Sequence, residues 1–161
     1  TGEQVRESKG HRQRIRDLIY TRDGQQLVSV GEDRRVRVES VTTGQAVDWE
    51  VKGAKLLSVA EYSPGKIAVG GTDNQVHLYD LASRQEIRVL KQHTGSVSAL
   101  ACRGDYLVSG SYDTAIRVRS SKDLNRTPTT KRSSPAKVPS VTSPTATSRK
   151  QNSDDTFRTQ R

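Results

Sequence analysis

A single cysteine, Cys102, is the chain's whole supply of thiol. No internal disulfide and no cluster of thiolates around zinc can form, and a reducing intracellular setting, cytoplasmic or nuclear, is the natural expectation. Hydrophobic residues make up 31% and aromatics 4% of the 161 positions, too little for one large core, so the folded part should be smaller than the chain. No apolar run approaches the roughly 20 residues a membrane span needs, and the first residues lack the apolar core of a secretory signal. Methionine is absent and the first residue is Thr1, which reads as a piece of a longer product. Only three histidines occur, His11, His77 and His93, with no Cys, His or Glu at ligand spacing beside them. No metal centre is expected, and no glycine loop opens a helix that could hold a phosphate, so no cofactor is expected either.

What the chain does have is positive charge, +9 at pH 7 with a pI near 10.0. Most of it lies late in the chain: residues 121–161 carry nine basic side chains against Asp123, Asp154 and Asp155, while residues 1–120 carry eighteen against fifteen. A basic surface raises nucleic acid as a partner, but the excess sits outside the patterned part of the sequence.

That pattern is an internal repeat. The windows Leu27–Val38, Ile67–Leu78 and Leu107–Val118 align on Asp33, Asp73 and Asp113, which are evenly spaced along the chain. Each reads as strand, tight turn, strand, with Val36 and Val38, Val76 and Leu78, and Ile116 and Val118 alternating with polar Arg37, His77 and Arg117 at the strand period of two. A further strand precedes each window, at Ile15 to Ile19, Leu57 to Glu61 and Val97 to Cys102, ending at Asp23-Gly24, Pro64-Gly65 and Arg103-Gly104. A weaker one follows two of them, at Gln45 to Val51 and Gln85 to Leu90. A period of about 40 with four short strands marks a propeller blade, a unit that cannot bury both faces alone.

Here the chain resembles the WD40-repeat family. Gly10-His11 and Gln92-His93 precede the turn aspartates by about half a repeat, in the place of that family's Gly-His pair. The resemblance implies an all-β fold, a partial WD40-like propeller of about three four-stranded blades. Residues 1–8 would be the outer strand of a preceding blade, blades would follow at about 9–50, 51–90 and 91–120, and residues 121–161 a disordered tail. It also implies a hydrogen-bonded structural tetrad, assigned by position to His11, Ser29 and Asp33 in the first copy, Asp73 in the second, and His93, Ser109 and Asp113 in the third. The family's Trp-Asp pair is replaced by Glu39-Ser40, Tyr79-Asp80 and Arg119-Ser120, and Gly53-Ala54 stands where the second Gly-His should be. Ser29, His11 and Asp33 could be written as a catalytic triad, but they occupy the tetrad's places, and no catalytic residues are expected.

Three blades are too few for a ring that typically has four to eight. One expectation is that upstream blades are missing from this chain; the alternative is that residues 3 to 8 complete the third blade of a second half-ring. Residues 121–161 hold four of the five prolines and fifteen Ser or Thr, a composition that cannot repay its ordering entropy. Thr127, Ser134 and Ser143 each precede proline and are candidate phosphosites. The function expected is a non-catalytic scaffold that presents one face of the propeller to a protein or peptide, with nucleic-acid or chromatin association through the basic tail as the alternative. Carried over by register from the family, the face residues are Arg12, Arg14, Glu32, Arg34, Lys55, Thr72, Asn74, Thr94, Ser96 and Tyr112.

Overall fold

The structure is a computed structural model and describes residues 2–125. Eleven strands form three antiparallel sheets, two of four strands and one of three. The first blade runs β1 (Ile15–Tyr20), β2 (Gln26–Gly31), β3 (Arg35–Ser40) and β4 (Ala46–Glu50). The second runs β5 (Leu56–Ser63), β6 (Lys66–Gly71), β7 (Val76–Asp80) and β8 (Glu86–Leu90), and the third β9 (Val97–Arg103), β10 (Tyr106–Ser111) and β11 (Ile116–Ser120). The described residues are therefore all-β but for one short helix, and their three blades do not close a ring.

Alternation puts one apolar set of each blade toward its successor. Val28, Val30 and Val36 of the first blade are fully buried beneath the second, and Ala68, Val76 and Leu78 of the second are fully buried beneath the third. Removing each valine or leucine from water contributes about 1.5 to 3 kcal/mol. At the same register in the third blade, Ile116 is 75% and Val118 62% exposed, because no described residue covers that face. Polar pegs join the inner strands across the seams. Asp17 accepts from the Ser58 hydroxyl at 2.8 Å and the Val59 amide at 2.9 Å, and Ser58 Oγ in turn accepts from the Leu100 amide at 3.0 Å.

The third blade, in which the sequence shows no outer strand, has three strands among the described residues. Two expectations need correction. Residues 2–14 form no strand; residues 2–8 instead hold Glu39, through an ion pair from Arg6 at 2.7 Å and the Ser8 hydroxyl. The disorder expected from Ser121 onward does not hold for its first five residues, because Ser121–Asn125 is a helix, α1, whose Leu124 is buried in the core shared by the second and third blades. Residues 126–161, with Thr127, Ser134 and Ser143, lie outside the described residues.

The tight turn after each aspartate needs a left-handed residue, and Arg34, Asn74 and Thr114 take it at φ of 65°, 67° and 65°. Glycine adopts this conformation freely and asparagine nearly so, whereas a β-branched residue is strained there. Thr114 is exposed and its side chain loses little. Thr114→Gly should therefore stabilise the chain by about 1 kcal/mol, read as a higher urea midpoint, with Asn74→Gly close to neutral; a drop in the Thr114→Gly midpoint would contradict the turn geometry.

Candidate functional site

The aspartate turns lie at one end of the sheets, and each is tied down by a histidine. In the first blade, His11 Nδ1 lies 3.0 Å from both carboxylate oxygens of Asp33 and its Nε2 lies 2.9 Å from Ser29 Oγ. A carboxylate only accepts, so Nδ1–H donates to Asp33. The Arg12 and Arg35 amides also donate to this carboxylate, at 2.9 and 3.2 Å. In the third blade, His93 Nδ1 meets Asp113 at 2.9 Å and Nε2 meets Ser109 Oγ at 2.8 Å, with the Thr94 and Ala115 amides on the same carboxylate at 3.0 and 2.9 Å. The linkage Ser–His–Asp copies the atoms of a hydrolytic triad. Ser109 is fully buried and Ser29 nearly so, which leaves neither hydroxyl open to a substrate.

These contacts set the charge on the carboxyls. Burial raises Asp33, but the Arg12 amide, the His11 hydrogen bond and the Arg35 amide outweigh it and hold the carboxyl below its usual range. The Thr94 amide is the largest influence on Asp113, and with Ala115, His93 and Ser111 it overcomes burial and holds that carboxyl far down.

The second blade has Ala54 and Val69 where the others have histidine and serine, so Asp73 lacks the histidine that ties the other two carboxylates and the serine that holds that histidine. His77, on β7 four residues after Asp73, supplies the tie instead. Its Nε2 lies 2.8 Å from Asp73 Oδ2 and its Nδ1 2.6 Å from Glu86 Oε1 on β8. This partner was missed in the sequence. Its signal was present, because the equivalent residue of the third blade is a cation, Arg117, whose guanidinium is 3.9 Å from Asp113.

The replacements for the family tryptophan find different roles. Arg119 donates to Ser109 Oγ at 3.2 Å and to Gln92 at 2.7 Å, and burial followed by the Arg117 charge lowers its pKa. Tyr79 stacks obliquely on Trp49 of the preceding blade, ring centroids 5.7 Å apart, and burial, then Glu86, pushes its hydroxyl up to about 12. Glu39 is the residue that Arg6 and Ser8 hold.

Above these ties, the loops of the first two blades enclose a cleft of about 530 Å³. Arg12, Glu32, Arg34, Lys55 and Thr72 all line it, together with Arg35 and Glu50. Glu32 is shared between Arg16 at 3.5 Å and Lys55 at 3.4 Å, and Glu50 pairs with Arg34 at 3.3 Å. Among the described residues, the Arg12 side chain has no ion pair. The other face residues lie outside the cleft. Asn74 donates to the Thr94 carbonyl at 3.2 Å, bridging the second and third blades, and the Tyr112 amide donates to the Ser96 carbonyl at 3.0 Å. The Arg14 side chain and the Tyr112 ring are exposed. Among the described residues no three His, Cys, Asp or Glu side chains gather as metal ligands, and no helix is long and apolar enough to cross a membrane.

Comparison with known proteins agrees with this architecture. Residues 2–38 and 84–120 match the WD40 repeat, described as WD domain, G-beta repeat. The chain is 35% identical over 95 residues to the anaphase-promoting complex subunit cdh1 of Dictyostelium discoideum, covering 56% of this chain and 12% of that protein. It is 26% identical over 120 residues to the DENN domain and WD repeat-containing protein SCD1 of Arabidopsis thaliana, covering 73% and 10%. The chain thus spans about a tenth of the length of these curated relatives. Among solved structures, U3-55K superposes with a TM-score of 0.67 at 23% identity, over 71% of this chain and 38% of that one, a likeness of fold.

Because both carboxyls are held below their unfolded range, the stability they contribute is present above about pH 4 and is lost as pH falls through the folded values. Asp33→Asn and Asp113→Asn should each be less stable at pH 7 and lose less stability between pH 5 and pH 2 than the unsubstituted chain; parallel acid limbs would contradict the ties. His77→Ala should cost about 1 to 3 kcal/mol in urea unfolding by stranding Asp73, and a loss below about 0.5 kcal/mol, the ordinary range for a surface change, would mean that His77 does not hold the turn.

Proposed function

We propose that this WD40-repeat chain is a non-catalytic scaffold that holds a segment of a protein or peptide at the aspartate-turn end of its blades. One observation carries this reading. Arg34 occupies a left-handed turn position at φ 65° where glycine would be unstrained, and it stands on the rim of the cleft with Arg12 and Lys55. Strain of this kind gathers where a side chain is wanted for its chemistry, and arginine is over-represented among residues that dominate binding. The contact set comprises Arg12, Arg14, Glu32, Arg34, Lys55, Thr72, Asn74, Thr94, Ser96 and Tyr112, centred on the five that line the cleft.

The mixture of charges favours a polypeptide over nucleic acid. Glu32, Glu50 and Asp48 stand among the cations, and a continuous phosphate backbone crossing them would meet repulsion as well as attraction. A peptide can place single charges against single partners, exchanging weak surface pairs of about 0 to 1 kcal/mol each. Phosphorylation at Thr127, Ser134 or Ser143 and a cytoplasmic or nuclear setting belong to the same proposal, supported by the Ser/Thr-Pro steps and the lone cysteine.

The test compares proteins crosslinked to the intact chain with those crosslinked to Arg12→Glu/Arg34→Glu, two exposed positions whose change should leave the melting temperature within about 2 °C. Partners captured through this face should fall at least tenfold in the variant, and nuclease treatment should not matter. An unchanged set of partners would overturn the reading, and a set lost to nuclease alone would move the function to nucleic acid.

A further inference from the structure

Each seam in the molecule is built from the same parts. The successor blade lays its first strand over the apolar face of its predecessor: Leu56 and Val59 of β5 do so at the first seam and Val97 of β9 at the second, all at most 2% exposed. The predecessor's outer strand also reaches across the first seam, where Trp49 of β4 packs on Tyr79 of β7. Both halves of a third such seam are present and open. Ile116 and Val118 of β11 offer the apolar face, and Ile15 and Leu18 of β1, the register mates of Leu56 and Val59, are 51% and 52% exposed.

The remaining parts fit as well. Glu32 and Lys55 pair across the first seam at 3.4 Å; their register mates at a third seam are Tyr112 and Arg14, an exposed ring and an exposed guanidinium suited to a cation–π contact. Residues 2–8 hold the family register of residues 84–90, which contain β8, an outer strand. Ser8 and Arg6 touch Glu39, the register mate of Tyr79, so residues 2–8 already stand to the first blade as β4 stands to the second. What they lack is a sheet edge, and β11 has an outer edge with no strand on it among the described residues.

We propose that two copies of this chain associate head to tail, the third blade of each packing on the first blade of the other, and residues 2–8 of each adding the fourth strand to β11 of its partner. The three described blades of each copy make six, within the usual range of four to eight for a closed ring, and a head-to-tail contact that closes yields a finite particle. At the new seam Ala99 replaces the Asp17 and Ser58 pegs, and the Leu18 amide it would have met is already satisfied by Asp17 at 2.9 Å, so closure strands no donor.

Sedimentation velocity and native mass spectrometry of the full chain across a dilution series test this. A discrete dimer is expected, with the amides of residues 3–8 protected from exchange. Leu18→Lys and Ile116→Lys change exposed positions, so both variants should stay folded by circular dichroism, and each should weaken association at least about thirtyfold. Mixing the two variants should restore a one-to-one dimer, because one of the two seams is then unsubstituted on both sides. A monomer at every concentration would assign the covering blade to residues outside this chain and overturn the proposal. An open-ended polymer, a dimer indifferent to both substitutions, or a mixture that fails to pair would overturn it equally.

Discussion

The fold depends on tying down the tight turn between the second and third strands of each blade. That turn carries a carboxylate and a residue in left-handed conformation, and neither is stable there alone. A partly buried carboxylate needs its charge matched, and a non-glycine residue at positive φ stores strain that its surroundings must hold. One histidine answers both needs by clamping the aspartate from the side while backbone amides reach it from the loop before the blade and from the strand after it. The loop preceding β1 is thereby fixed to the hairpin that follows it, and the outward face of that loop becomes a rigid rim. The cleft between the first two blades is a consequence of this rigidity, since Arg12 and Arg34 are both carried by backbone that Asp33 anchors.

The three blades meet the requirement in different ways, and the difference shows what is constrained. The first and third draw the histidine from the loop and the serine from β2 or β10. The second draws its histidine from β7, four residues beyond the aspartate, and dispenses with the serine. The tryptophan place is freer still: an arginine, a tyrosine and a glutamate occupy it, each with a partner its own chemistry can use. What recurs is a cation or hydrogen-bond donor facing the turn carboxylate, together with apolar residues at alternate positions of the two strands that flank it. The degenerate motifs are therefore compatible with well-formed blades.

Much of the fold was legible because it rests on spacing. An even period with alternation on both sides of Asp33, Asp73 and Asp113 specifies three hairpins in register, and the strands before and after them follow from turn residues. The face residues were legible only through family register, and half of them converge on one cleft while Asn74, Thr94, Ser96, Arg14 and Tyr112 do not. His77 escaped notice because its alternation marks only which side of the sheet it faces; that this side carries Asp73 is a matter of distance across a hairpin. Residues 2–8 have an outer strand's pattern and no strand's structure, since a strand forms only against an edge. The short α1 helix was hidden in a polar, Ser-rich stretch, where a single apolar residue, Leu124, finds space between two blades.

If the turn aspartate organises each blade, the amides that bond to it must be as firmly held as the sheets themselves. Residue-resolved native-state hydrogen exchange measures this directly. Arg12 and Thr94 lie in loops outside every strand, yet their amides donate to Asp33 at 2.9 Å and to Asp113 at 3.0 Å. The account predicts that both exchange as slowly as the central amides of β2 and β10. Exchange at the rate of an open loop, with the strand amides still protected, would contradict it.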